Sequence, residues 1–66
     1  MTVDDARQRI QSAIDQFGPH AAMAIDLVLS EVRSAFDQDA VNDLIDEFDL
    51  ELRYNIAPSE HGSQNF

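Results

Sequence analysis

Carboxylates are the side chains in this sequence that could do chemistry, and more than half of them lie in one stretch. Residues 37–51, DQDAVNDLIDEFDLE, contain seven Asp and Glu side chains and no basic residue. Such a stretch could bind a metal ion, or it could form a charged surface that meets a positively charged partner. The spacing of the carboxylates decides between these two uses.

The spacing does not support a metal site. A calcium loop needs oxygen ligands at alternate positions around a central glycine, and the acidic stretch has no glycine. Helix bundles that hold two irons use Glu-x-x-His pairs, but neither His20 nor His61 follows a Glu by three residues. With no cysteine in the chain, structural zinc is also disfavoured. We therefore expect no metal and no cofactor, and we interpret DQD at 37–39 as a helix cap.

Catalytic motifs are also missing from the sequence. There is no cysteine nucleophile, and Gly18 and Gly62 are the only glycines, so no phosphate-binding loop can form. No serine lies in a strand-turn-helix elbow. His20 is interpreted as structural, because a chain of this length hardly encloses a ligand-sized cavity around it. We expect a protein that is not an enzyme.

The net charge of −9, from 13 acidic and four basic residues, argues against direct binding to nucleic acid or to an anionic membrane. Three short helices suit a DNA-binding helix-turn-helix in size. However, the helix in the recognition position would point Asp39, Asp43 and Asp46 at the phosphates. The most apolar run, AAMAIDLVL, is too short to span a membrane, and MTVDDAR is not a secretory signal. These features predict a cytoplasmic protein.

The elements that position the carboxylates are predicted to be helices. Thr2 and Asp5 have the spacing of a helix N-cap and its partner three residues later. Apolar residues then recur at helical spacing: Val3, Ala6, Ile10, Ala13, Ile14 and Phe17. Gly18 is expected to end this helix in a left-handed conformation, and Pro19 to begin the next, so that the two helices form a hairpin.

The second helix is predicted over residues 19–36 and is apolar on two sides. Its main stripe consists of Ala21, Ala22, Ile25, Val28, Leu29, Val32 and Phe36. Met23 and Leu27 lie one turn apart on the opposite side. Two interpretations stay open: either both sides are buried in the monomer, or Met23 and Leu27 form an interface with a partner or a second copy.

The third helix is predicted to begin at a cap formed by Asp37 or Asp39 and to bury a stripe at helical spacing: Val41, Leu44, Ile45 and Phe48. Residues 49–56 fit a strand or a helix, and we favour a helix that breaks near Asp49 and resumes as a short turn. In a continuous helix, Leu50 and Tyr54 would form a pair that points away from the core. Residues 1–57 are predicted to be one domain and 58–66 a flexible tail.

Two candidate partner-binding surfaces follow from this arrangement. Opposite the buried stripe of the third helix lie Asp39, Asp43 and Asp46, with Glu47 and Glu51 on one flank; this band is either a functional surface or merely a solvated face. The apolar candidates are Met23, Leu27, Leu50 and Tyr54.

The sequence thus predicts a small all-α, three-helix fold that self-associates or docks on a partner. The favoured function is that of a non-enzymatic, acidic interaction module that binds and inhibits or regulates a larger protein through its basic surface, as a nucleic-acid mimic or a phage-type inhibitor would. The alternatives are a structural subunit, a helical homodimer held by apolar contacts, and an antitoxin-like chain that folds on its partner.

Overall fold

The computed structural model describes residues 1–58, and within them the chain forms helices and no strand. The helices are α1 (Val3–Phe17), a 3₁₀ turn (Gly18–His20), α2 (Ala22–Ala35), α3 (Gln38–Glu47) and α4 (Leu50–Tyr54). The predicted all-α fold, a helical hairpin plus a third helix and a short C-terminal helical turn, is therefore confirmed. The tail predicted over 58–66, which includes His61, lies outside the described residues apart from Pro58.

The helix caps predicted at the starts of α1 and α3 are both confirmed. The Thr2 hydroxyl accepts a hydrogen bond from the Asp5 N–H, and the Asp5 carboxylate accepts one from the Thr2 N–H, each over 3.1 Å. At α3 it is Asp37 that caps the helix, since its carboxylate accepts from the Ala40 N–H over 3.0 Å. These bonds satisfy backbone groups that have no partner within the helix.

The turn between α1 and α2 differs from the prediction in two ways. Gly18 has the expected positive φ of 55°, but its ψ of −124° is not that of a left-handed helix. Pro19 explains this difference, because a proline disfavours helical conformations at the preceding residue. The second helix also begins later than the predicted Pro19: the Ala21 N–H donates to the Gly18 carbonyl, three residues back, and so closes a 3₁₀ turn before α2.

The core consists of twelve buried apolar residues from all parts of the fold, and no polar residue of 1–58 is buried with them. They are Ala6, Ile10, Ala13, Ala21, Ile25, Val28, Leu29, Val32, Val41, Leu44, Ile45 and Leu50. The α1–α2 hairpin is the largest helix pair, α3 packs against α2, and α4 packs against α3. Phe17 and Phe36, predicted to be in the buried stripes, are 50% and 43% exposed. Each lies at the end of its helix, where the chain turns away from the core.

The break between α3 and α4 corrects one predicted surface. Asp49 adopts a left-handed conformation (φ 57°, ψ 41°), so the helix stops and resumes as predicted. The change of direction turns Leu50 into the core, where it is fully buried, and leaves Leu52 83% exposed. The expectation that Leu50 and Tyr54 point away from the core is wrong, because it assumed a continuous helix.

Tyr54 is part-buried and connects α4 to the hairpin turn. Its hydroxyl donates a hydrogen bond to the Gly18 carbonyl, with 2.8 Å between the two oxygens. This contact joins residues 36 positions apart and places the last described helix against the first turn of the fold. Tyr54 is therefore assigned to the fold and not to a partner-binding surface.

Replacing Tyr54 by Phe should lower the free energy of unfolding by about 1 kcal/mol. The Gly18 carbonyl would keep the bond from the Ala21 N–H, so one of its two hydrogen bonds would be lost and the ring would still pack. Urea unfolding followed by circular dichroism measures the change. Leu52→Gln on the same helix should leave stability nearly unchanged, and an equal loss in both variants would contradict a specific role for the hydroxyl.

Candidate functional site

The first candidate surface lies on the outer side of α3. Asp39, Asp43 and Asp46 are exposed and follow one another at intervals of four and three residues, so each lies about one helical turn, roughly 5 to 6 Å, from the next. We call these three residues the acidic face. Burial of Val41 and Leu44 on the opposite side of α3 fixes the direction in which the acidic face points.

Further carboxylates adjoin the acidic face at the junction between α3 and α4. Asp46, Asp49 and Glu51 line a small crevice of about 80 Å³ there. Asp49 was not among the predicted site residues, because only its left-handed conformation brings it to this crevice. Within residues 1–58, however, no group of three or more His, Asp and Glu side chains is arranged to hold a metal ion.

Glu47, which the sequence places on the flank of the acidic band, is engaged inside the protein. Both of its carboxylate oxygens accept from Nε of Arg7, at 2.9 and 2.8 Å, and Nη1 of Arg7 also donates to Asp4. The hydrogen bond that Arg7 donates to Glu47 and the negative charge of Glu47 raise the pKa of Arg7 above its ordinary value. Because this ion pair ties α3 to α1, we assign Glu47 to positioning the acidic face.

Three of the four arginines are engaged away from Asp43 and Asp46. Arg7 pairs with Asp4 and Glu47, and Arg9 pairs with Glu31 across the α1–α2 hairpin. Arg53 donates to the Phe48 carbonyl over 3.4 Å and lies over the Tyr54 ring. Among residues 1–58, none of the ion pairs includes Asp43, Asp46 or Glu51.

The second candidate surface is apolar and belongs to the hairpin. Met23 and Leu27 are 83% and 61% exposed, so burial of both within the monomer, one of the two predicted alternatives, is wrong. Leu27, together with Phe17, lines an open groove of about 630 Å³ between α1 and α2, and Met23 does not line it. No residue of α3 or α4 lines this groove. The helical periodicity of α1 predicts Phe17 to be in the core, so its position at the groove could not be read from the sequence.

Comparison with known proteins gives no further guide to these surfaces. No protein-family model matches the chain, and no curated protein and no solved structure matches it either. In the described part of the chain, no helix is long and apolar enough to cross a membrane.

The Arg9–Glu31 ion pair should make the stability of the fold depend on pH. Arg9 donates from Nη1 and Nη2 to the two Glu31 oxygens, over 2.7 and 3.2 Å, and these bonds lower the pKa of Glu31 below its ordinary value of 4.5. The folded state therefore binds fewer protons than the unfolded state. The pair's contribution to stability is present above pH 4.5 and is lost as the pH falls through the lowered pKa.

Glu31→Gln should accordingly unfold at a lower urea concentration than the wild type at pH 6, and the difference should shrink at pH 3. Glu51→Gln is the matched control, since Glu51 is exposed and has no ion pair among residues 1–58. A difference between Glu31→Gln and the wild type that stays constant from pH 6 to pH 3 would show that the ion pair does not cause it.

Proposed function

We propose that this protein is a non-enzymatic interaction module that binds a positively charged surface of a larger protein through its acidic face, and thereby inhibits or regulates that protein. One observation carries the proposal: the acidic face is exposed along one side of α3, and neither Asp43 nor Asp46 takes part in an ion pair within residues 1–58. The partner we propose is a protein with a basic groove for nucleic acid, which the protein would meet in the cytoplasm.

The arrangement of charge suits such a partner. Carboxylates of like charge one turn apart destabilise a helix by roughly 0.2 to 0.5 kcal/mol per pair, and alternating Lys with Asp would avoid this cost. A row of negative charges at intervals of about 5 Å resembles the row of phosphates that a basic groove is built to bind. The net charge of −9 would also accelerate the encounter with a basic protein by electrostatic steering.

The fold holds the acidic face in place before any partner arrives. The Asp37 cap fixes the start of α3, and the ion pair between Glu47 and Arg7 fixes its end. Between them, Leu44 is 1% exposed. Binding would therefore order only the carboxylate side chains, which keeps the entropic cost of association low.

The antitoxin-like alternative receives less support from these contacts. An antitoxin-like chain would leave its acidic C-terminal half unfolded until it bound its toxin. In this protein that half contributes a third of the twelve core residues: Val41, Leu44, Ile45 and Leu50. The homodimer alternative rests on a different surface, the groove between α1 and α2.

Two variants with the same change in charge test the proposal. Asp43→Asn/Asp46→Asn removes two charges from the acidic face, and Asp15→Asn/Asp26→Asn removes two exposed charges from α1 and α2. Each tagged protein would be used to capture binding proteins from a lysate of its source organism, and the captured protein would then be purified and its Kd measured by titration calorimetry.

At 50 mM salt we expect the Asp43/Asp46 variant to bind a basic, nucleic-acid-binding protein about tenfold more weakly than the wild type. The Asp15/Asp26 variant should bind nearly as well as the wild type. The difference should largely disappear at 500 mM salt, where charges are screened. The wild-type chain should also displace nucleic acid from its partner. Equal losses in the two variants would mean that only net charge matters and that the acidic face is a solvated surface.

A further inference from the structure

We infer that the groove between α1 and α2 is the interface of a symmetric homodimer, and that its occupant is a second copy of this chain. The inference is independent of the proposed function, because the groove contains no residue of α3 or α4 and the acidic face belongs to α3. It rests on the shape and the charge of the groove, and the area of the face sets the expected strength of the dimer.

Exposed apolar side chains and a groove lie on the same face of the hairpin. Leu27 and Phe17, 61% and 50% exposed, project beside the groove. Ala13 and Ala24 line it, and their small side chains allow another helix to approach closely. In a two-fold dimer the same patch must match itself. A face that carries both the apolar projections and the space to receive them meets that condition, and two such hairpins would form a four-helix bundle.

The face that contains the groove is nearly neutral, although the chain has 13 acidic residues. One wall of the groove consists of Gln8, Ser12 and Gln16, which follow one another every four residues along α1. The two charged side chains that line it have opposite signs and are engaged within the monomer: Asp5 accepts from the Thr2 N–H in the α1 cap, and Arg9 pairs with Glu31. Each copy therefore brings one negative and one positive side chain to this face, so two copies would meet with little net charge between them.

The same wall also favours a second copy over a basic partner. A glutamine amide donates and accepts hydrogen bonds, so Gln8 and Gln16 can pair with the same residue types on another copy. A basic helix would find a single carboxylate among the residues that line the groove, that of Asp5, which already accepts a hydrogen bond from the Thr2 N–H. A basic partner is suited to the acidic face instead.

The area of this face sets the expected strength of the dimer. A face formed by two helices, the longer with 15 residues, measures about 22 by 20 Å. This is smaller than the roughly 800 Å² per partner of a standard interface, and two chains of charge −9 repel each other. We therefore expect a weak dimer that becomes stronger as salt screens the repulsion. Binding of a basic partner through the acidic face should show the opposite dependence on salt.

Sedimentation equilibrium of the full chain from about 1 μM to 1 mM tests the inference. The average mass should rise from 7.4 kDa toward twice that value, at lower concentration in 500 mM than in 50 mM salt. Leu27→Gln should raise the dimer Kd at least about tenfold, because it removes an apolar side chain that dimerisation buries. Leu52→Gln, the same change at an exposed position of α4, should leave the Kd within about twofold.

A second variant tests the neutral wall. Gln8→Glu/Gln16→Glu keeps the side-chain size and should weaken the dimer at 50 mM salt, with recovery at 500 mM. A wild type that stays monomeric at 1 mM in both salts would overturn the inference, and so would a mass that passes beyond two chains. It would also be overturned if Leu52→Gln weakened the dimer as much as Leu27→Gln, or if the Glu variant associated normally at 50 mM salt. Circular dichroism of each variant confirms that the monomer is folded.

Discussion

The rest of this small fold depends on the backbone conformation of Gly18. Its φ of 55° is open to glycine at little cost, and Pro19 confines its ψ to an extended value. Together they reverse the chain within a few residues, so that α1 and α2 lie antiparallel and Arg9 of one helix reaches Glu31 of the other. The Gly18 carbonyl also receives Tyr54. The turn therefore sets the hairpin and provides the docking point for α4.

The sequence predicts most of the fold where the signals are local. The Thr2 and Asp5 cap, the Asp37 cap and the stripe through α3 each involve residues three or four positions apart, and each lies where periodicity places it. Predictions failed where one residue redirected the chain. The left-handed conformation of Asp49 turns Leu50 inward, and a helical pattern drawn through position 49 cannot anticipate this.

Long-range contacts were also beyond prediction from the sequence. Arg7 and Glu47 are separated by 40 positions, and nothing in the pattern of either helix identifies them as partners. Their pairing matters for the candidate site, because it separates Glu47 from the carboxylates that remain outside ion pairs. The acidic band could therefore be located from the sequence, but the part of it that remains for a partner depends on how α1 packs against α3.

The two candidate surfaces are chemically separate, yet charge couples them. In a homodimer, repulsion between two chains of charge −9 opposes association. A basic partner on the acidic face would neutralise part of that charge and so favour the dimer. Thermodynamic linkage then requires that the dimer bind the basic partner more tightly than the monomer does, by the same factor. Such coupling needs no change in conformation, because the repulsion extends through the solvent and depends only on how much of the charge salt leaves unscreened.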